Sequence, residues 1–84
     1  MKTQKNTIHK PNYLDFDGAR ELLAEMGVYL NDRQIRRAAE KDAHGNRKLP
    51  FFLGPIDGRL KIDRNALVRT YYKAQMEAEQ HLRL

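Results

Sequence analysis

The sequence predicts a small α+β fold, mainly helical, with its elements in the order helix, turn, helix, β-hairpin, helix. The 84-residue chain has the length of one domain. In three separate stretches, apolar residues recur every three or four positions, which is the period of an amphipathic helix. Between the second and third stretches, a glycine- and proline-rich turn at 54–58 separates two short apolar runs, which is typical of a hairpin.

The first predicted helix lies between Asp15 and Gly27. The Asp15 carboxylate can accept hydrogen bonds from the free N–H groups of a first helical turn, so we expect it at the N-cap. Gly27 fits the position after the last turn, where a left-handed backbone costs glycine little. The apolar face of this helix consists of Phe16, Ala19, Leu22, Leu23 and Met26.

The second predicted helix covers roughly residues 32–42 and has two chemically different faces. Asn31 is the expected N-cap, and Gln34 three positions later completes a variant of the capping box. The narrow apolar strip consists of Ile35, Ala38 and Ala39. Its opposite side is rich in arginine and lysine, so this helix could contact a polyanion.

The remaining elements are a polar loop, a hairpin and a long helix. We expect the loop at 43–48, the first strand at 49–53 and the second strand at 59–62, where polar and apolar residues alternate. Asp63 is the expected N-cap of the last helix, which could run to about residue 80. Its inward stripe consists of Leu67, Tyr71, Ala74 and Ala78.

The positive charge of the chain is segregated. The net charge is +5 and the isoelectric point about 9.7. Residues 13–27 carry a local net charge of −3, so the other residues carry +8. A basic surface of this kind favours a polyanionic partner such as nucleic acid. We expect residues 1–12, with three lysines, to form a flexible basic arm and residues 13–84 to form the folded domain.

The composition argues against an enzyme. Without serine or cysteine, the chain cannot build the usual nucleophile–histidine pairs or a disulfide framework. Its histidines lack the i, i+4 spacing of a helical zinc motif, so we expect no metal and no cofactor. We find neither a signal peptide nor an apolar run of about 20 residues, and therefore expect a cytoplasmic protein without membrane contact.

The order of the elements predicts a winged helix-turn-helix that binds double-stranded DNA. In such a fold the second helix enters the major groove and reads base edges, while the hairpin forms the wing. The candidate DNA-binding residues of the recognition helix are Arg33, Gln34, Arg36, Arg37 and Lys41. Those of the wing and its flanks are Arg47, Lys48, Arg59 and Lys61. The sequence leaves open which arginines read bases and which hold phosphates.

Several short motifs resemble the excisionase-like and MerR-type winged-helix families. The run from Leu14 to Leu23, followed by Gly27 and Val28, is similar to their opening helix. The Ile35-Arg36-Arg37 tripeptide resembles the start of their recognition helix. The wing and the helix after it are matched by Leu49-Pro50-Phe51, by 58–63 and by Leu67. The resemblance covers roughly residues 13–73, and the size of the chain favours the excisionase-like branch.

That resemblance implies a recombination directionality factor of a bacterium or phage. Such a protein binds DNA beside an attachment site, often cooperatively with further copies of itself. It bends the DNA and so steers an integrase towards excision. Two other hypotheses remain open at this point. One is a small transcriptional regulator of a phage or mobile element on the same fold, and the other is a module that binds an integrase or a repressor protein.

Overall fold

A computed structural model describes residues 10–82 and confirms the α+β class. Over this range the chain forms three helices and a three-stranded antiparallel sheet. In chain order the elements are β1 (Tyr13–Leu14), α1 (Phe16–Glu25), α2 (Asp32–Ala38), β2 (Phe52–Leu53), β3 (Leu60–Asp63) and α3 (Arg64–Leu82). The predicted arm falls largely on residues 1–9, which lie outside the described part.

Helix α1 begins and ends where the sequence predicts. The Asp15 Oδ1 atom accepts a hydrogen bond of 2.8 Å from the Gly18 N–H, which satisfies a donor that the first turn leaves free. Gly27 follows the last turn with a φ of 91°, and the next N–H, that of Val28, returns to the Leu23 carbonyl at 2.7 Å. The predicted capping chemistry of this helix is confirmed.

Helix α2 begins as predicted but ends at Ala38, four residues before the predicted end. The Ala38 carbonyl accepts from the Leu49 N–H at 3.1 Å, although a longer helix would pair it with residue 42. The Asp42 N–H donates to the Asn46 carbonyl at 2.7 Å, and its carboxylate accepts the N–H groups of His44 and Asn46. This side chain offers the backbone an alternative to the helix, as aspartate does at turns.

The predicted hairpin is confirmed, with shorter and slightly shifted strands. Phe52 lies opposite Lys61, and Leu53 lies opposite Leu60. The first strand does not begin at 49, because Pro50 has no N–H to donate and the Phe51 N–H turns back to the Leu49 carbonyl at 2.7 Å. The turn is closed by a hydrogen bond of 2.8 Å from the Gly54 N–H to the carbonyl of residue 59.

A third strand, β1, joins the free edge of β3 and was absent from the sequence prediction. Tyr13 pairs with Asp63, and Leu14 pairs with Ile62, so β3 becomes the central strand. Asn12 continues the contact, since its carbonyl accepts from the Arg64 N–H at 2.8 Å. The sequence prediction put residue 12 in the mobile arm, whereas the structure holds it against the start of α3.

The core lies where α1, α2 and α3 meet the inner face of the sheet. Its fully buried large side chains are Leu23, Ile35, Ile62 and Leu67, one from each of α1, α2, β3 and α3. The other buried apolar residues are Ala19, Leu22, Ala39, Leu49 and Phe51. Among the described residues, no polar or charged side chain is buried. The core therefore fixes the orientation of α2 and leaves every candidate site residue at or near the surface.

Candidate nucleic-acid interface

The outer face of α2 is cationic because Ile35 and Ala39 turn the other face into the core. Both of these residues are buried, whereas Arg33, Arg36 and Arg37 are exposed. Within residues 10–82, neither Arg33 nor Arg37 forms an ion pair. A helix of seven residues is about 10 Å long at 1.5 Å per residue. The two unpaired guanidinium groups thus project from a short, firmly seated helix.

Arg36 differs from its two neighbours because it is held against the body of the domain. Its Nε donates a hydrogen bond of 2.7 Å to the Asp32 carboxylate, one turn earlier on the same helix. Its guanidinium lies 4.9 Å from the centre of the Phe16 ring, close enough for a cation–π interaction. Arg36 therefore links α2 to the start of α1, and Asp32 compensates part of its charge.

Gln34 serves the N-terminus of α2. The Asn31 Oδ1 atom accepts from the Gln34 N–H at 2.8 Å, and the Asn31 N–H donates to Gln34 Oε1 at 2.9 Å. This is the complete capping box predicted from the sequence. Since a bidentate contact to adenine needs both the oxygen and the amide of glutamine, Gln34 would have to release the cap to make one.

Lys41 does not lie on α2, which corrects the predicted recognition helix. Because the helix ends at Ala38, Lys41 belongs to the following loop, where it forms a single β-bridge with Arg47. The Lys41 side chain is exposed. Because residue 41 is not helical, Lys41 does not share a helix face with Arg33 and Arg37. Of the five residues predicted for this helix, four lie on it.

Arg47 and Lys48 follow each other in sequence but have different surroundings. The Arg47 Nε donates to the Ala39 carbonyl at 2.6 Å, and its Nη1 donates to the Phe51 carbonyl at 3.4 Å. Arg47 thus connects the end of α2 to the start of the hairpin and is partly buried.

Lys48 is exposed and lines the same open groove as Arg37. The groove has a volume of about 420 Å³ and an otherwise largely apolar lining of Leu30, Gln34, Ala38, Leu49, Thr70, Tyr71 and Ala74.

The two cations of the hairpin also lie in different surroundings. Arg59 is exposed and lines a cleft together with Arg36, between the start of α1 and the hairpin. Lys61 is partly buried, and its Nζ donates to the Asp57 Oδ2 atom at 2.6 Å. This hydrogen bond from Lys61, together with one from the Arg59 N–H, holds the pKa of the Asp57 carboxyl below its usual range. Lys61 therefore braces the turn, and Arg59 is the hairpin cation that faces α2.

Acidic groups occupy a different surface, on α1. Asp17, Glu21 and Glu25 are all exposed there. Arg20 lies among them, 3.8 Å from the Asp17 carboxylate, and its Nε donates to the Leu30 carbonyl at 3.2 Å. The segregation of charge seen along the sequence is only partial in space, because Asp15 and Asp17 line the same cleft as Arg36 and Arg59.

Sequence reasoning missed three features of this surface. The Asp32–Arg36 ion pair has the i, i+4 spacing that favours such a pair in a helix, so the sequence carried that signal. The contact of Arg36 with Phe16 and the hydrogen bond from Arg47 to the Ala39 carbonyl had no local signal, because they join residues eight or more positions apart.

Comparison with protein-family models, with curated proteins and with solved structures found no match to this chain. Between residues 10 and 82, no helix is long and apolar enough to cross a membrane. In the same range, no three or more histidine, aspartate or glutamate side chains gather in a way that could hold a metal ion. The proposals below therefore depend on the geometry and charge of the described residues.

Proposed function

We propose that this protein binds double-stranded DNA as an architectural factor of the excisionase type, folded as a winged helix-turn-helix. Helix α2 is the recognition helix, and the hairpin β2–β3 is the wing. The observation that supports this most directly is the cationic face of α2, where the exposed Arg33 and Arg37 form no ion pair within residues 10–82. The exposed Arg59 adds a cation from the hairpin, in a cleft that Arg36 and two aspartates also line.

The size of α2 agrees with a major-groove role. The major groove is about 12 Å wide and admits one α-helix. The small and apolar residues of α2 face the core, so the helix is anchored without using its arginines. Arg33 and Arg37 can each place a guanidinium fork on a guanine edge or on a phosphate, because no ion pair within residues 10–82 occupies them.

The contacts seen in the structure reduce the number of cations available for phosphates. Arg47 donates to backbone carbonyls and Lys61 to a carboxylate, so both act mainly within the fold. Arg36 is likewise paired, with Asp32, so the cations proposed for DNA contact are Arg33, Arg37, Lys48 and Arg59. About four neutralised phosphates correspond to a slope of roughly −3.6 in a plot of log K against log salt.

A salt titration of DNA binding tests this proposal. The wild-type protein and the double variant Arg33→Gln/Arg37→Gln are titrated onto fluorescent duplex DNA, read by anisotropy, at several salt concentrations. We expect the double variant to bind more weakly and to lose about 1.8 from the magnitude of the slope. A domain that binds no duplex at low salt, or whose slope does not change in this variant, would exclude α2 as the DNA-contacting element.

The matched control removes the same charge from another surface. Arg69 and Lys73 lie one turn apart on α3, are exposed and line neither of the two grooves beside that helix. The variant Arg69→Gln/Lys73→Gln has the same net charge as the recognition-helix variant. If both variants weaken binding equally, the binding responds to net charge alone, and the assignment to α2 is wrong.

Excision and transcription require the same DNA-binding surface, so the location of the bound site distinguishes them. Binding beside an attachment site, with a gain of excised product when an integrase is added, supports the directionality factor. Binding only at a promoter, with altered transcript levels, supports the small regulator. Footprinting over any neighbouring attachment site, and over the promoter of this gene, gives the answer.

A protein-interaction module is the second candidate, and the free end of α3 favours it. Helix α3 continues for more than two turns beyond Tyr71, the last of its residues packed against the core. Tyr72 and Met76 lie on this extension, one turn apart, with exposed fractions of 59% and 37%. If this face binds an integrase, the substitutions Tyr72→Glu and Met76→Glu abolish that complex and leave DNA affinity intact.

A further inference from the structure

The tip of the hairpin presents an apolar side chain to solvent. Ile56 is 98% exposed, the largest exposed fraction among the large apolar residues of the described chain. Its neighbour Pro55 is exposed as well. The hydrogen bond that closes the turn joins Gly54 to the carbonyl of residue 59, so both residues lie in the loop that extends beyond the strands.

The loop that carries Ile56 is rigidly braced. The Asp57 carboxylate accepts the Arg59 N–H at 3.1 Å and the Lys61 ammonium at 2.6 Å. The Gly58 N–H returns to the Gly54 carbonyl at 3.0 Å, with Gly58 in the left-handed region at a φ of 65°. A Cβ atom at Gly54 would overlap the Asp57 carboxylate, so the brace also requires a glycine there. These contacts hold the loop on both sides of the tip without a partner, which lowers the entropy cost of binding.

Charge around the tip indicates the chemistry of its partner. Arg59 is exposed at the base of the loop and faces the cleft that Arg36 also lines. An exposed apolar tip with an exposed arginine at its base suits a groove whose walls are phosphates and whose floor is made of base edges. Proteins that bend DNA insert isoleucine, leucine or proline side chains between base steps from the minor groove, and so kink the duplex by about 20–90°.

We propose that Pro55 and Ile56 form a wedge that enters the minor groove beside the α2 site and partly unstacks one base step. This inference rests on the proposed DNA-binding function and supplies the mechanism of bending. Arg59 holds a flanking phosphate, and the Asp57–Lys61 brace keeps the wedge aligned. The DNA would bend away from the wing, towards its major groove.

The wedge is tested with duplexes that carry 2-aminopurine, whose fluorescence rises when the base is unstacked. Tiled over the bound site, the probe locates the affected step, and energy transfer between dyes at the two ends gives the bend angle. With the wild-type protein we expect a fluorescence increase at one step and a bend of at least about 20°. With Ile56→Ala we expect the fluorescence increase to disappear and the bend angle to fall by half or more.

Two further variants make the result specific. Ile56→Phe keeps an apolar wedge, so it should retain the bend and the fluorescence increase. Tyr29→Ala removes another strongly exposed side chain, at 79%, from the acidic side of the domain and should change neither. Because Ile56 has almost no contacts within the fold, its variants should have wild-type thermal stability.

The outcomes separate the wedge from DNA binding itself. If the wild-type protein binds no duplex, the proposed function fails and the wedge fails with it. If it binds but Ile56→Ala bends and unstacks the DNA like wild type, only the wedge is overturned. If Ile56→Ala leaves all DNA properties intact and instead disrupts an integrase complex, the tip binds protein and the wedge is likewise overturned.

Discussion

Removal of the Asn31 side chain should destabilise the domain because it removes the N-cap of the short helix α2. Helix α2 has only seven residues, so it does not stand alone in water and depends on its cap and on the burial of Ile35. In Asn31→Ala the Gln34 N–H loses the Oδ1 atom that accepts its hydrogen bond at 2.8 Å. The reciprocal hydrogen bond of 2.9 Å, from the backbone N–H of residue 31 to Gln34 Oε1, is then no longer supported by the first. Replacement of such a cap by alanine costs about 1 kcal/mol. For a domain of this size the melting temperature should fall by about 4–8 °C.

Urea denaturation, followed by circular dichroism, measures this change, and related variants show its origin. Asn31→Asp keeps an acceptor oxygen at the cap, so it should cost much less than Asn31→Ala. Gln34→Ala removes only the returning bond to an exposed N–H and should also cost less. The double variant Asn31→Ala/Gln34→Ala should be destabilised by less than the sum of the two single-variant values, because each of the two bonds supports the other. A cost for Asn31→Ala no larger than that for Asn31→Asp would refute the capping argument.

Three further predictions concern the loop, the hairpin and the core. Arg47→Gln should lower the free energy of unfolding by about 1–3 kcal/mol in urea denaturation, because two backbone carbonyls lose a charged donor; an unchanged value would show that Arg47 is not a structural link. Asp57 has a lowered pKa, so its contribution to stability is present above its unfolded pKa of about 4 and is lost as the pH falls through the lower folded value. Between pH 7 and pH 2 the melting temperature of Asp57→Asn should therefore fall less on acidification than that of the wild-type protein. An equal fall in both proteins would contradict the Lys61 brace. Ile62→Ala, at a fully buried position of the central strand, should cost about 2–5 kcal/mol, whereas Ile56→Ala should cost almost nothing; equal costs would contradict the assigned burial.

Local chemistry explains the elements that the sequence predicted well. The caps at Asp15, Asn31 and Asp63 and the glycine after α1 act within four residues of the position they control. The hairpin turn is likewise closed between residues 54 and 59. Such signals can be read directly along the chain. They predicted α1, the start of α2, the hairpin and the start of α3.

Long-range contacts explain the elements that it predicted poorly. Strand β1 has only two residues and exists because β3, about 50 positions later, offers a free edge. Helix α2 ends early because the Ala38 carbonyl finds the Leu49 N–H across a loop. Helical periodicity continues past Ala38 in the sequence, so it did not reveal this competing partner, although the turn at Asp42 is a local signal for a break in the helix. The placement of Lys41 outside the helix follows from the same contact.

The division between sequence and tertiary structure is clearest in the candidate site. The sequence alone determined the α+β class, the order from α1 to α3 and the presence of a basic surface, since all of these depend on residue type and near-neighbour spacing. Only the tertiary structure decided what each cation contacts. It directs Arg47 to the Ala39 carbonyl and Arg36 to the ring of Phe16, while Arg33 remains exposed on α2. A cation's role depends on which partners the fold brings into contact with it, and these two partners lie far from their cations in sequence.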